Sequence, residues 1–163
     1  MKIIWIAHLT LNFQKRLFKI HKKIIYAIEA VVDIALNSGP NPVQNESIAR
    51  RQGIPKRYLE QTLQILVKNK ILVGSRGPKG GYSLAKERRR IKIADIIKSV
   101  SNEDSLISTF NSELSRKIVL PLINDISLQC LEKFNNISIE EVCKIAKTKK
   151  LKRDISKKVD FVI

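Results

Sequence analysis

A chain of 163 residues that is 44% hydrophobic can bury one real core, and a formal net charge of +16 at pH 7 suits a polyanionic partner. Lys and Arg outnumber Asp and Glu by 20 to 6 over residues 1–98 but only by 11 to 9 over residues 99–163, so the excess is placed rather than spread. Nucleic acid is the expected partner. Cys130 and Cys143 are too few for a disulfide framework and match no metal motif, which fits inert thiols in a reducing cytosol.

The opening MKIIWIAHLTLNF has the Lys-then-apolar start of a secretory leader. His8, Thr10 and Asn12 interrupt it, no small-residue cleavage site follows, and it runs into QKRLFKIHKK, so a leader is not expected. No segment approaches the ~20 apolar residues of a membrane helix, and a soluble, cytoplasmic chain without a membrane partner is expected. Ile24, Ile25, Ile28, Val31, Val32 and Ala35 then recur at helical spacing and predict a first helix with one apolar face. NSGPNP at 37–42 supplies its Gly and Pro stop.

A short helix is expected in NESIARRQ at 45–52, then a turn at Gly53-Ile54. Pro55 suits the first position of the next helix, where its missing N–H costs nothing. That helix runs to about Asn69, with Leu59, Leu63 and Leu66 inward and Lys56, Arg57, Glu60, Gln61, Gln64 and Lys68 on the polar face. Small Ala49, Gly53 four residues on and Leu59 six beyond that form the spacing of a helix-turn-helix: close approach, tight turn, aliphatic plug.

Four of the six glycines fall in GSRGPKGGYSL, residues 74–84. ILVGS and GYSLA read as two short strands joined by RGPKG, a hairpin whose tip needs positive φ and carries Arg76 and Lys79. Such a hairpin beside a helix-turn-helix is a wing. IKIADIIKSV at 91–100 predicts a strand residue or two and a helix. Beyond it, Leu114, Ile118, Leu122, Ile126 and Cys130 step by four toward Phe134, and Pro121 is expected in the first turn of a long helix at about 120–135, with a looser segment before it. ISIEEVCKIA forms a last short helix or strand and helix, and the Lys-rich end is expected to fray.

Taken together, YAIEAVVDIALNS, IARRQGIPKRYLEQTLQILVKNKILVGSRGPKGGYSLA and IADIIKSV strongly resemble the winged-helix regulators of the Rrf2 family, the group that includes IscR, NsrR and CymR. The resemblance spans roughly residues 19–145. It implies a mainly α fold with a small β-hairpin wing, α+β, in which a winged helix-turn-helix at 19–100 precedes a linker and dimerisation helix at 101–146 and a basic tail at 147–163. It implies a bacterial cytoplasmic transcription regulator, with repression the expected mode, acting as a homodimer on a palindromic site in double-stranded DNA. Leu122, Ile126, Cys130 and Phe134 would line the dimer seam. Carried onto this chain, Arg57, Glu60 and Gln61 are the candidate base readers in the major groove and Arg76 is the wing residue of the minor groove. Lys22, Lys23, Lys56 and Lys79 would serve phosphates, which position without specifying sequence. Glu60 is the sharpest of these, because a carboxylate on a basic DNA-facing helix repels phosphate unless it has a task; its alternative is an ion pair with Arg57 or Lys68.

The departures from the family pattern are equally specific. Many members hold an iron–sulfur cluster on three cysteines before the dimerisation helix, and some add a histidine. Here Ser105, Asn111 and Lys117 stand at the cysteine positions and Leu120 at the histidine, so no metal or other cofactor is expected and the effector, a small molecule or a protein, is open. The family's Gly-Arg pair is replaced by Ile24-Ile25, which moves any backbone contact there to Lys22 or Lys23. Family members begin near Lys19, so residues 1–18 are an extension: a basic arm, or sequence upstream of the native start. No Ser/His/Asp or Cys/His set converges and RGPKGG lacks the Walker form, so an enzyme is not expected. The competing reading is a sequence-tolerant, nucleoid-type DNA binder that uses the same fold for charge alone.

Overall fold

The computed structural model describes residues 20–101, 110 and 112–149. The extension at 1–18, Ser105, Asn111 and the tail beyond Lys149 lie outside the described residues. In order, the elements are α1 (Lys22–Asn37), α2 (Asn45–Gln52), α3 (Lys56–Lys68), β1 (Leu72–Ser75), β2 (Gly81–Leu84), a 3-10 turn (Arg88–Arg90) and α4 (Ile93–Val100). A π-helical turn (Ser115–Val119) then runs into α5 (Leu120–Asn135), and α6 (Ile139–Thr148) follows. The strands pair antiparallel from Leu72 opposite Leu84 to Ser75 opposite Gly81. The fold is therefore mainly helical with one hairpin wing.

The core forms where α1 packs against α3 and α4. Ala27, Ala30, Val31, Ile34 and Ala35 of α1 are fully buried, and the small alanines let the neighbouring helices approach closely. The apolar face is rotated from the expected one: Ile24 and Ile28 are half-buried, while Ile25 is 41% exposed. Ile25 lies about 160° round the helix from Ala27, away from the buried face. From α3, Leu59, Leu63 and Leu66 are fully buried, and Ile91, Ile93 and Ile96 close the core from below the wing.

Asp33 is the unexpected member of this interior, only 3% exposed. Its carboxylate accepts from Arg51 Nε at 2.9 Å and Nη2 at 2.7 Å and from Gln52 Nε2 at 2.7 Å. A carboxylate taken out of water is tolerated only with such partners. The cluster ties α1 to the end of α2, immediately before the turn.

That turn is built as the spacing implies. Gly53 takes the left-handed conformation at φ 65°, and the N–H groups of Gly53 and Ile54 both reach Ala49 O. Pro55 stands one residue earlier than expected: it is the N-cap of α3, with ψ 125°, and Lys56 is the first helical residue. The Pro55 carbonyl accepts from Leu59 N at 2.9 Å, so the proline begins the hydrogen-bonded ladder from outside it. At the other end Lys70 is left-handed at φ 57°, with Ile71 N bonding Leu66 O and Lys70 N bonding Val67 O. These two bonds make a Schellman stop that turns the chain directly into β1.

Ahead of Pro121 the chain is helical rather than loose. Leu120 N bonds Ser115 O, a five-residue closure that widens the turn just where the proline lacks an N–H and its ring would crowd the carbonyl four residues back. α6 packs back on α1. Ile139 and Cys143 belong to the main core, Lys92 bridges Ser138, and Ser138 caps α6 with Glu141 in a reciprocal box. Glu141 accepts from the Ser138 N–H and hydroxyl, and these bonds hold its carboxyl below the usual carboxylate range. No helix among the described residues is long and apolar enough to cross a membrane.

Candidate nucleic-acid interface

Helical spacing puts Arg57, Glu60, Gln61, Gln64 and Lys68 on the side of α3 opposite its buried leucines, and all five are exposed. Thr62, the one polar residue on the inner face, is satisfied by donating to Tyr58 O at 3.0 Å. Glu60 makes no ion pair with Arg57, Lys68 or any other described residue. Its charge is felt instead by Tyr82 of the wing, whose hydroxyl pKa is pushed up by burial and then by the nearby Glu60 carboxylate. Tyr82 thus stands between wing and helix, and Glu60 remains directed outward.

The wing is held by backbone. Val43 and Tyr82 exchange two hydrogen bonds, of 2.9 and 2.8 Å, which dock β2 on the segment between α1 and α2. A Cβ on Gly81 would lie 2.5 Å from Val43 O, so only glycine permits this approach. Within the tip Gly77 takes φ 102° and Gly80 N closes on Gly77 O at 2.8 Å. Gly77, Gly80 and Gly81 serve this tip and its docking, and Arg76 and Lys79 are exposed at the end of the wing.

Two further contacts gather the outward elements. Gln44 Nε2 donates to Pro78 O at 3.4 Å, tying the wing tip to the start of α2. Lys56 Nζ lies 3.8 Å from Glu46 Oε2, tying the start of α2 to the start of α3. Tyr26 and Tyr58 pack edge to face, 5.6 Å apart and at 81°, which sets the second turn of α1 beside the first turn of α3. These contacts link the wing tip to the start of α2, the start of α2 to the start of α3, and α3 to α1. Sequence reasoning missed the open cleft lined by Gln44, Glu46, Ser47, Ala49, Arg50, Ile54 and Lys56, because its members are brought together only by the fold.

α5 carries the other candidate surface. Leu122 (58% exposed), Ile126 (38%) and Phe134 (37%) are uncovered, and Cys130 is exposed beside them. Val119 (44%) and Ile123 (49%) extend the same stripe at three- and four-residue spacing and were not singled out from sequence.

The iron–sulfur ligand set does not fit. Lys117 is exposed and paired with Glu113, Leu120 is half-buried hydrocarbon, Cys130 lies on the outside of α5 and Cys143 is inside the core. Among the described residues no three His, Cys, Asp or Glu side chains are grouped to hold a metal.

Residues 20–145 match the family model Rrf2, described as an iron-dependent transcriptional regulator. The HTH-type transcriptional regulator IscR of Sodalis glossinidius is 34% identical over 121 residues, 72% of this chain and 73% of that protein. The protein of the same name from Xenorhabdus nematophila is 35% identical over 123 residues, 73% of this chain and 75% of its own length. Among solved structures, T. potens IscR superposes with a TM-score of 0.67 at 29% identity, over 83% of this chain and 93% of its own. CymR, the global cysteine regulator of B. subtilis, gives 0.61 at 25% identity, over 79% and 98%. The fold is that of these winged-helix regulators, and the IscR relatives carry the name of transcriptional regulators. The chain belongs to the Rrf2 family of transcription regulators.

Proposed function

We propose that this protein is a cytoplasmic, homodimeric repressor that binds a palindromic site in double-stranded DNA and works without an iron–sulfur cluster. Arg57, Glu60 and Gln61 read base edges in the major groove, Arg76 enters the minor groove, and Lys22, Lys23, Lys56 and Lys79 hold phosphates. The observation that carries the reading is the outward Glu60, which has no ion pair among the described residues, on a helix otherwise rich in cations. A carboxylate placed there repels every phosphate, and its constructive role is to accept from a cytosine amino group. Arg57 offers a fork to guanine and Gln61 a donor–acceptor pair to adenine. The uncovered stripe of α5 supports pairing with a second copy, which sets two such helices at a fixed spacing and demands a two-fold symmetric site. Two cysteines in the whole chain cannot supply three thiolates, so the signal enters by another route.

Replacing Gln61 by Ala is expected to cost ~1–3 kcal/mol on the preferred site and almost nothing on random duplex. Fluorescence anisotropy on both duplexes measures this, and equal losses would remove Gln61 from the base readers. Lys79→Ala should weaken both duplexes alike and reduce the log–log salt slope by about 0.9; a loss confined to the preferred site would give Lys79 a reading role instead. Protein purified without oxygen should be colourless, and a visible charge-transfer band would overturn the cluster-free assignment.

A further inference from the structure

We propose that Tyr82 of the wing is a positioning residue for Glu60: in the DNA complex its hydroxyl donates to one carboxylate oxygen and leaves the other aimed at a base. This deepens the DNA-binding reading and rests on it, since Glu60 must read a base for the wing to sharpen that reading. Tyr82 stands opposite Gly74 in the hairpin, and its backbone exchanges two hydrogen bonds with Val43, so the residue is anchored on both sides. A Cβ on Gly74 would lie 3.7 Å from Tyr82 Cε1 and 3.9 Å from Val67 Cγ2. The ring therefore crosses the bare face of Gly74 on the side where Val67 of α3 lies, and it packs against the edge of the core. Val67 follows Glu60 by about two helical turns, so the two share one row of α3.

Neither the Tyr82 hydroxyl nor the Glu60 carboxylate makes a hydrogen bond or ion pair with another described residue. The carboxylate is nonetheless close enough to raise the hydroxyl's pKa further after burial has raised it. Both influences keep the phenol protonated, and a protonated phenol is a donor. Glu60 is exposed, and a free glutamate side chain must give up its rotamer freedom when it meets a base. A donor mounted on the wing restrains it. A carboxylate has two oxygens, so the bond from Tyr82 does not consume the acceptor that a cytosine amino group needs. The wing thereby acts on sequence as well as on backbone, through a residue that touches no base itself.

The test uses the full chain, a duplex carrying its selected site, single-base-pair variants of that duplex, and a random duplex of equal length. Tyr82→Phe removes the oxygen and keeps the ring. It should weaken the selected duplex by about tenfold, the scale of one hydrogen bond to a charged group, and the random duplex far less. The preference it flattens should be at the same base pair that Glu60→Ala flattens, and adding Tyr82→Phe to Glu60→Ala should cost nothing more. Thermal melting checks that each variant is folded. A further measurement, independent of the Phe variant, is NMR of ring-labelled tyrosine in the free protein: Glu60→Ala should lower the pH at which Tyr82 titrates. If the wild type discriminates but Tyr82→Phe weakens both duplexes alike, the tyrosine only holds the wing and the positioning role fails alone. Losses that add in full, a flattened preference at a different base pair, or an unmoved Tyr82 titration would overturn it equally, with Glu60 still a base reader. A wild type that binds the selected and random duplexes alike removes the reading by Glu60 and the role of Tyr82 together.

Discussion

Ile126→Asp is expected to leave the protein monomeric at micromolar concentration and to abolish high-affinity binding to the palindrome while the fold stays intact. Ile126 lies midway along α5 with Leu122 and Ile123 before it and Cys130 after it, and all four are exposed. A 16-residue helix spans about 24 Å, so the stripe is long enough to pair with a copy of itself. An uncovered apolar row of this length marks a surface made for a partner. In the paired state the introduced carboxylate would be buried without a counter-charge, a penalty of several kcal/mol met twice in a symmetric dimer. Losing the dimer also removes the effective concentration that joins two half-sites, worth about 10²–10⁴ in affinity. Sedimentation velocity reads the first effect and anisotropy the second. A variant that still sediments as a dimer would move the seam off this face of α5.

Asp33→Ala is expected to lower stability by about 3 kcal/mol, toward the lower end of what breaking a buried charge pair costs, because Arg51 keeps 18% of its side chain exposed. The carboxylate accepts three hydrogen bonds, two from Arg51 and one from Gln52, and alanine restores none of them. For a chain of this size the loss amounts to a fall in melting temperature of roughly 10 °C. Asp33→Asn keeps the shape but not the charge and should fall between the two. Calorimetry decides: a change within the ordinary ±0.5 kcal/mol of a surface substitution would mean that the clamp does not hold α2 against α1.

Much of the DNA-binding half is written in local spacing. Ala49, Gly53 and Leu59 are separated by distances that one turn geometry satisfies, and the glycines around Arg76 and Lys79 mark a tip because no other residue allows Gly77 its φ or Gly81 its approach to Val43. What escaped local reading is what depends on remote partners. Asp33 meets Arg51 across 18 positions, and nothing in either neighbourhood reveals the pair. Ile25 reads as core from its hydrophobicity, yet helical phase turns it outward once Ala27 and Ala30 take the inner face. Pro121 signals a break in general, whereas the wide turn at Ser115–Val119 absorbs it without ending the helix. α6 enters the core through Ile139 and Cys143, because the pairing of Lys92 with Ser138 brings it back. The cleft of Gln44, Ser47 and Arg50 is likewise assembled only when wing and helices meet.

α3 and the wing are proposed to read a particular sequence rather than merely a charged backbone. The most direct measurement is selection of bound fragments from genomic DNA by the purified protein, followed by sequencing of what is retained. The expected result is a shared inverted repeat with half-sites about one helical turn apart, bound some 10³-fold or more above random duplex. Retained fragments with no common motif would contradict it and leave a sequence-tolerant binder that uses the same fold for its charge.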